Sequence, residues 1–121
     1  MILHLVPEAA WRALAPGEVY APASLADEGF VHCTAADDLL LRVANAFYRD
    51  EPDALLVLDI DEAQLTSEVR WEAPPGGGPM GTAVLFPHVY GPIDTAAVVG
   101  IRQALRDDLG AFTGIGRYEA I

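Results

Sequence analysis

Ile2 to Val6 is apolar apart from His4 at its centre, which is the pattern of a short strand. Pro7 then opens a short helix, with Glu8 beside its positive end. Trp11 and Leu14 mark one face of that helix, and Pro16-Gly17 stops it. Val19 to Ser24 reads as extended chain or loop. Phe30 to Cys33 forms a second short strand. Thr34 reads as the N-cap of the next helix, with Asp37 and Asp38 in its first turn. That helix sets Leu39, Leu40, Val43, Ala44 and Phe47 on one side at the 3.6-residue period. It ends near Asp50, because Pro52 cannot continue it. Ala54 to Ile60 is apolar on both faces, which predicts a central strand. Glu68 to Glu72 alternates charge with Val69 and Trp71, as a half-exposed strand does. Val84 to Tyr90 and Ala97 to Gln103 predict two more strands. Gly91-Pro92 makes a turn between them, and Ile93-Asp94 leads into a short connection.

These elements amount to about six strands and two main helices, with the helices early and the strands late, which predicts an α+β fold. No period of 20 to 50 residues repeats, so a solenoid is excluded. Pro74 to Pro79 is a run of Pro and Gly and predicts a surface loop inside the domain. Residues 1–105 are expected to form a single domain. Residues 106–121, with three Gly between Asp107 and Ile121 and no clear period, are expected to be a loosely held tail.

With 121 residues, the chain has room for one domain and a real core. Its 52% hydrophobic and 21% charged residues exclude intrinsic disorder. Charge changes the picture more. Seven Arg and no Lys face eighteen Asp and Glu, for a formal net charge of −11. The Arg residues are scattered, so nucleic acid and anionic membranes are excluded as expected partners. A small-molecule ligand remains. A phosphate on it would rely on one local Arg or on backbone N–H groups. The N-terminus has no basic segment and no long apolar stretch, and Cys33 is the single cysteine. The expectation is a cytoplasmic protein with a reduced thiol.

The candidate chemistry centres on three histidines, each flanked by apolar residues. His4 is mid-strand, His32 ends a strand, and His88 lies in Phe86-Pro87-His88-Val89-Tyr90-Gly91. Histidine suits acid–base work near neutral pH and also binds metals. No close-spaced His pair exists, so a His-ligated metal site is only an alternative. Cys33 adjoins His32, but strand neighbours point to opposite faces, so the thiol is expected to be inert. Thr34 shares the face of His32. Arg70 and Glu72 share a face, with Trp71 on the other. Their bland reading is a surface ion pair over a buried Trp; their functional one is a phosphate-binding Arg and a Glu that accepts a hydroxyl or acts as base. Tyr90 is a strand end or a ring that stacks on a ligand base. Tyr20 and Tyr48 have no distinguishing pattern.

The segments Leu3-His4-Leu5-Val6-Pro7, Glu28-Gly29-Phe30-Val31-His32-Cys33-Thr34, Arg70-Trp71-Glu72 and Phe86-Pro87-His88-Val89-Tyr90-Gly91-Pro92 stand in an order that resembles the small bacterial family known as domain of unknown function 952. The resemblance runs from Ile2 to Ile101. That family is grouped by fold with the ADP-ribosyltransferases, so the resemblance implies a split β-sheet that holds NAD in a central cleft. It places His4 where the superfamily holds the cofactor's ribose. His32 and Thr34 fall where a residue packs by the nicotinamide or a phosphate. His88 stands on the later strand where Glu is usual, and Glu72 aligns only loosely, a departure from the superfamily pattern. The combined expectation is a pocket lined by His4, His32 and His88 as catalytic groups. Thr34, Arg70, Glu72 and Tyr90 would contact NAD or an ADP-ribosylated compound. The alternatives are a non-catalytic small-anion-binding module and a His-ligated metal protein.

Overall fold

The computed structural model describes residues 1–73 and 84–121. In chain order the elements are β1 (Ile2–Pro7), α1 (Glu8–Arg12), β2 (Val19–Tyr20), α2 (Ala23–Glu28), β3 (Val31–His32), α3 (Asp37–Phe47), β4 (Leu55–Ile60) and β5 (Glu68–Glu72). There follow β6 (Phe86–Tyr90), β7 (Ile93–Asp94), β8 (Val98–Arg106), β9 (Phe112–Ile115) and β10 (Glu119–Ala120). The fold is mixed α+β, mostly strand, with three helices among the described residues. No helix among them is long and apolar enough to cross a membrane.

Every residue of β4 is buried, and it lies centrally, with β1 and β8 antiparallel on either side. Its two-sided apolar character has a direct cause: each face meets its own core. Leu56, Leu58 and Ile60 enter one core with Ile2, Val6, Val31 and Val89. Leu55 and Val57 enter a second with Leu3, Leu5, Leu40 and Phe112. Asp59 interrupts that second face and is held by Arg102 of β8, with Arg102 Nε 3.0 Å from Oδ1. The same guanidinium makes two bonds, of 2.8 and 2.9 Å, to the Asp37 carboxylate at the start of α3. It pins the helix to the sheet and holds the Asp37 carboxyl below the usual range.

β3, β6 and β5 form a separate three-stranded antiparallel sheet, and β2 pairs with β7. The large and small sheets meet at one seam, where Leu3 and Thr34 exchange two backbone hydrogen bonds of 2.8 Å. Thr34 is therefore not the cap of α3. The helix starts at Asp37 after Ala36, with no side-chain cap. Its buried stripe is also rotated from the expected one. Leu40 and Ala44 are buried, Leu41 and Tyr48 pack beside them, and Phe47 is 67% exposed. Asn45 sets this rotation by bonding the backbone of Phe112 in both directions, at 3.0 and 2.8 Å.

Three further elements differ from expectation. Residues 23–28, of which Ala23 and Ser24 read as extended chain or loop and the rest carry no assignment, form α2, preceded by Pro22 and ended by Gly29 at φ 86°. Ile93-Asp94 is a strand on β2, not a plain connection. Residues 106–121 are not a loose tail: β9 and β10 both pair with β8. Arg106 secures the approach, bonding the carbonyls of Glu51 and Arg49 and lying over the Phe112 ring. The expected Pro74 to Pro79 loop lies outside the described residues.

Candidate functional site

The site is built on the small sheet by strand alternation. Val31 and Val89 point into the first core. Their neighbours His32, His88 and Tyr90 therefore lie on the opposite, outer face. On β5, Glu68, Arg70 and Glu72 alternate with Val69, which packs against that same core. The register sets His32 opposite His88 and His88 opposite Arg70, so two imidazoles and a guanidinium form one cross-strand row.

His88 is at the centre, with only 2% of its side chain exposed. Its Nδ1 lies 2.9 Å from Glu72 Oε1, and the Tyr90 hydroxyl donates to the same oxygen. The Tyr90 bond, and then the His88 bond, hold the Glu72 carboxyl below the usual range. The Tyr90 phenol is raised in turn by the same bond. An ionised Glu72 can only accept, so Nδ1 of His88 carries a proton. The Nε2 of His88 is buried and has no hydrogen-bond partner among the described residues. Leaving such a group unpaired costs about 1–3 kcal/mol.

Aromatic rings surround His88. Phe30 stacks on it with centroids 4.2 Å apart and planes 22° apart. His32 stands edge-on at 5.4 Å. Phe30 also touches the rings of His32 and Tyr90, at 4.7 and 5.3 Å. His32 Nε2 lies 2.7 Å from Glu28 Oε2, one turn back at the end of α2. Arg70 is held by Glu68 through bonds of 2.9 and 3.1 Å, and its guanidinium lies 4.4 Å above the centre of the Tyr90 ring.

His4 occupies a different place. It shares the strand face of Ile2 and Val6, toward the first core, with its ring 5.5 Å from that of Tyr20. It reaches the site only through the backbone: its Nδ1 donates to the carbonyl of His32 at 2.7 Å. Burial lowers its pKa to about 4, so the ring is neutral at pH 7, with Nε2 buried and unpartnered among the described residues. The expected three-histidine lining thus separates into His32 and His88, side by side on the small sheet, and His4 behind them.

Of the expected residues, His32, His88, Arg70, Glu72 and Tyr90 come together on one face. Thr34 is buried at the seam between the sheets. The expected Arg70–Glu72 pair is replaced by Arg70–Glu68, and Trp71 is 44% exposed, not buried. Sequence reasoning missed Phe30 and Glu28, because it read Phe30 as a strand residue and left α2 unseen. Glu28 precedes His32 by four residues across Gly29, a turn that swings the two together. Tyr20, without a pattern of its own, is the ring against His4. Cys33 lies in the first core, and burial pushes its thiol up, as an inert cysteine requires. Among the described residues no three His, Cys, Asp or Glu side chains are grouped to hold a metal ion. A shallow cleft of about 280 Å³ on the large sheet, bordered by Glu8, Arg12, Ile101 and Arg117, shares no residue with these rings.

The family described as "protein of unknown function (DUF952)" matches residues 5–101. The chain belongs to this family. The matched segment carries His32, Arg70, Glu72, His88 and Tyr90, and begins one residue after His4. Two crystal structures of protein CC0527 from Caulobacter crescentus share the fold. One is 27% identical with a TM-score of 0.71; the other, a double mutant, is 25% identical with a TM-score of 0.73. Each alignment covers 93% of this chain and 92% of that one, so the likeness extends beyond the family segment. No curated protein matches the chain.

Proposed function

We propose that the outer face of the small sheet binds NAD or an ADP-ribosylated compound, on an ADP-ribosyltransferase-like scaffold, and that His88 is its acid–base group. One observation carries the reading: the chain Tyr90–Glu72–His88 ends at a buried, unpartnered Nε2. A carboxylate on Nδ1 fixes the tautomer and steadies the imidazolium that forms when Nε2 takes a proton. A hydroxyl donor satisfies that nitrogen, and a ribose offers hydroxyls. His32 stands beside it with its own carboxylate, Glu28, and is the second group able to exchange a proton. Glu72 and Tyr90 act through His88 as positioning residues. His4 supports the site from behind, by holding the carbonyl of His32. The resemblance stated from the sequence supports the ligand class, and the ring cluster supports the place.

Titration calorimetry with NAD and with ADP-ribose tests the reading, with His88→Ala and Glu72→Gln as variants. Saturable binding of either compound, weakened about tenfold by His88→Ala, is the expected result. No binding of either compound at millimolar concentration would sink the proposal. Turnover of the bound compound that vanishes in Glu72→Gln while binding persists would establish catalysis. Binding without product would leave a non-catalytic sensor.

A further inference from the structure

The arginines are scattered along the sequence, but the fold gathers three of them. Arg12, Arg102 and Arg117 border the cleft of about 280 Å³ on the large sheet, away from the ring cluster. Strand alternation makes the floor of this cleft. Ile101 and Leu105 stand on one face of β8, and Leu56 of β4 pairs with Gln103 on that same face. Leu56 and Ile101 belong to the first core, and the core ends with them. Leu105, further along β8, is 44% exposed, so the floor continues as apolar surface that meets water. Gly116 lies close to Leu105 and adds no side chain to fill the space.

The rim is charged, and its arginines differ in what they hold. Arg102 is engaged by Asp37 and Asp59. Arg12 bonds Glu8 through Nε at 2.7 Å. Arg117 has neither kind of partner: no hydrogen bond or ion pair joins its guanidinium to another described residue. A guanidinium takes a carboxylate through two parallel N–H bonds, and apolar surface beside it takes the body that carries the carboxylate. Glu8 and Glu119 also border the cleft, and the chain carries a formal charge of −11, so a multiply charged anion is repelled. A single negative charge is what this rim accepts. The volume lies just below the range of drug-sized ligands, which calls for a small one.

We infer that this cleft binds a small monocarboxylate with an apolar body, its carboxylate on Arg117 and its body over Leu105 and Ile101. It is a second site, separate from the face proposed for NAD.

NMR titration of the full, isotope-labelled chain tests the inference, with hexanoate and benzoate compared with hexanamide and benzamide. Each acid is expected to bind about tenfold tighter than its amide, with shifts centred on residues 101–105 and 116–119. Acetate, which lacks the body, and inorganic phosphate, which carries more charge, are expected to bind about tenfold more weakly than hexanoate. Arg117→Gln is expected to bring each acid down to the level of its amide, and Glu119→Gln to tighten the acids several-fold. Both side chains are exposed, and an unchanged melting temperature confirms that the variants fold. The two acids compared with each other assign the body as aliphatic or aromatic. Equal binding of acid and amide, no saturable shift at millimolar concentration, acetate or phosphate binding as tightly as hexanoate, shifts centred on the small sheet, or full acid affinity in Arg117→Gln would each overturn the inference.

Discussion

The two sheets use the same strand alternation to different ends. In the large sheet both faces of β4 are covered, and the chemistry is confined to Asp59 and Arg102, which serve to anchor α3. In the small sheet one face, through Val31 and Val89, completes the first core. The other face carries His32, His88, Tyr90, Arg70 and Glu72. The contrast shows how a chain this short separates stability from chemistry. Apolar burial on β1, β4 and β8 supplies the rigidity, and the outer face of three short strands can then hold a cluster of charges that a core would not tolerate.

This division is open to attack at both sheets. Leu58→Ala, at a fully buried position of the central strand, is expected to cost about 4 kcal/mol in urea unfolding, while leaving ligand affinity of the folded fraction unchanged. A cost under about 1 kcal/mol would mean that the large sheet is not the scaffold.

His4 gives the next largest effect. Its folded pKa of about 4 lies below the ordinary imidazole value of 6.5, so between those values the unfolded chain binds more protons than the native one. Stability therefore falls as pH falls from 6.5 to 4, and the contribution lost amounts to about 3 kcal/mol. His4→Asn keeps a donor toward the carbonyl of His32 but cannot titrate. Stability of wild type minus variant, followed against pH, should decline across that window. A flat difference would show that His4 is not buried as a neutral ring.

Arg102→Met is expected to cost about 2 kcal/mol, because it leaves the buried Asp59 carboxylate without its partner and frees the start of α3. Adding Asp59→Asn should recover part of that loss. The smallest stability effect belongs to Glu72→Gln, within about 0.5 kcal/mol, at a position with more than a third of its side chain exposed. The same substitution should abolish the fixed tautomer of His88. A large loss of stability there would erase the contrast between the two faces.

Much of this organisation was legible in the sequence. Ala54 to Ile60 announced a central strand because its apolar residues carry no period. Alternation alone placed Arg70 with Glu72, and sent Cys33 away from His32. What was not legible depended on distant partners. Thr34 has the chemistry of a helix cap, but Leu3 takes its backbone into the seam between the sheets. The residues after Asp107 have too many glycines to show a strand pattern, and their pairing is set by β8 together with Asn45 and Arg106. Likewise His4, His32 and His88 have equivalent apolar flanks, yet the sheet packing turns His4 inward and the other two outward. The Tyr90–Glu72–His88 chain crosses a strand pair whose register no local signal reveals.

The central claim is that His88 is held by Glu72 as the Nδ1–H tautomer, with a bare Nε2 waiting for a donor from the ligand. Long-range proton–nitrogen correlation NMR of the histidine rings tests it most directly, recorded with and without NAD or ADP-ribose. The account predicts a protonated Nδ1 and an unprotonated Nε2 for His88 in the free protein, with the Nε2 signal moving toward the hydrogen-bonded position when ligand is added. A His88 protonated at Nε2, or an Nε2 signal that neither compound moves, would contradict it.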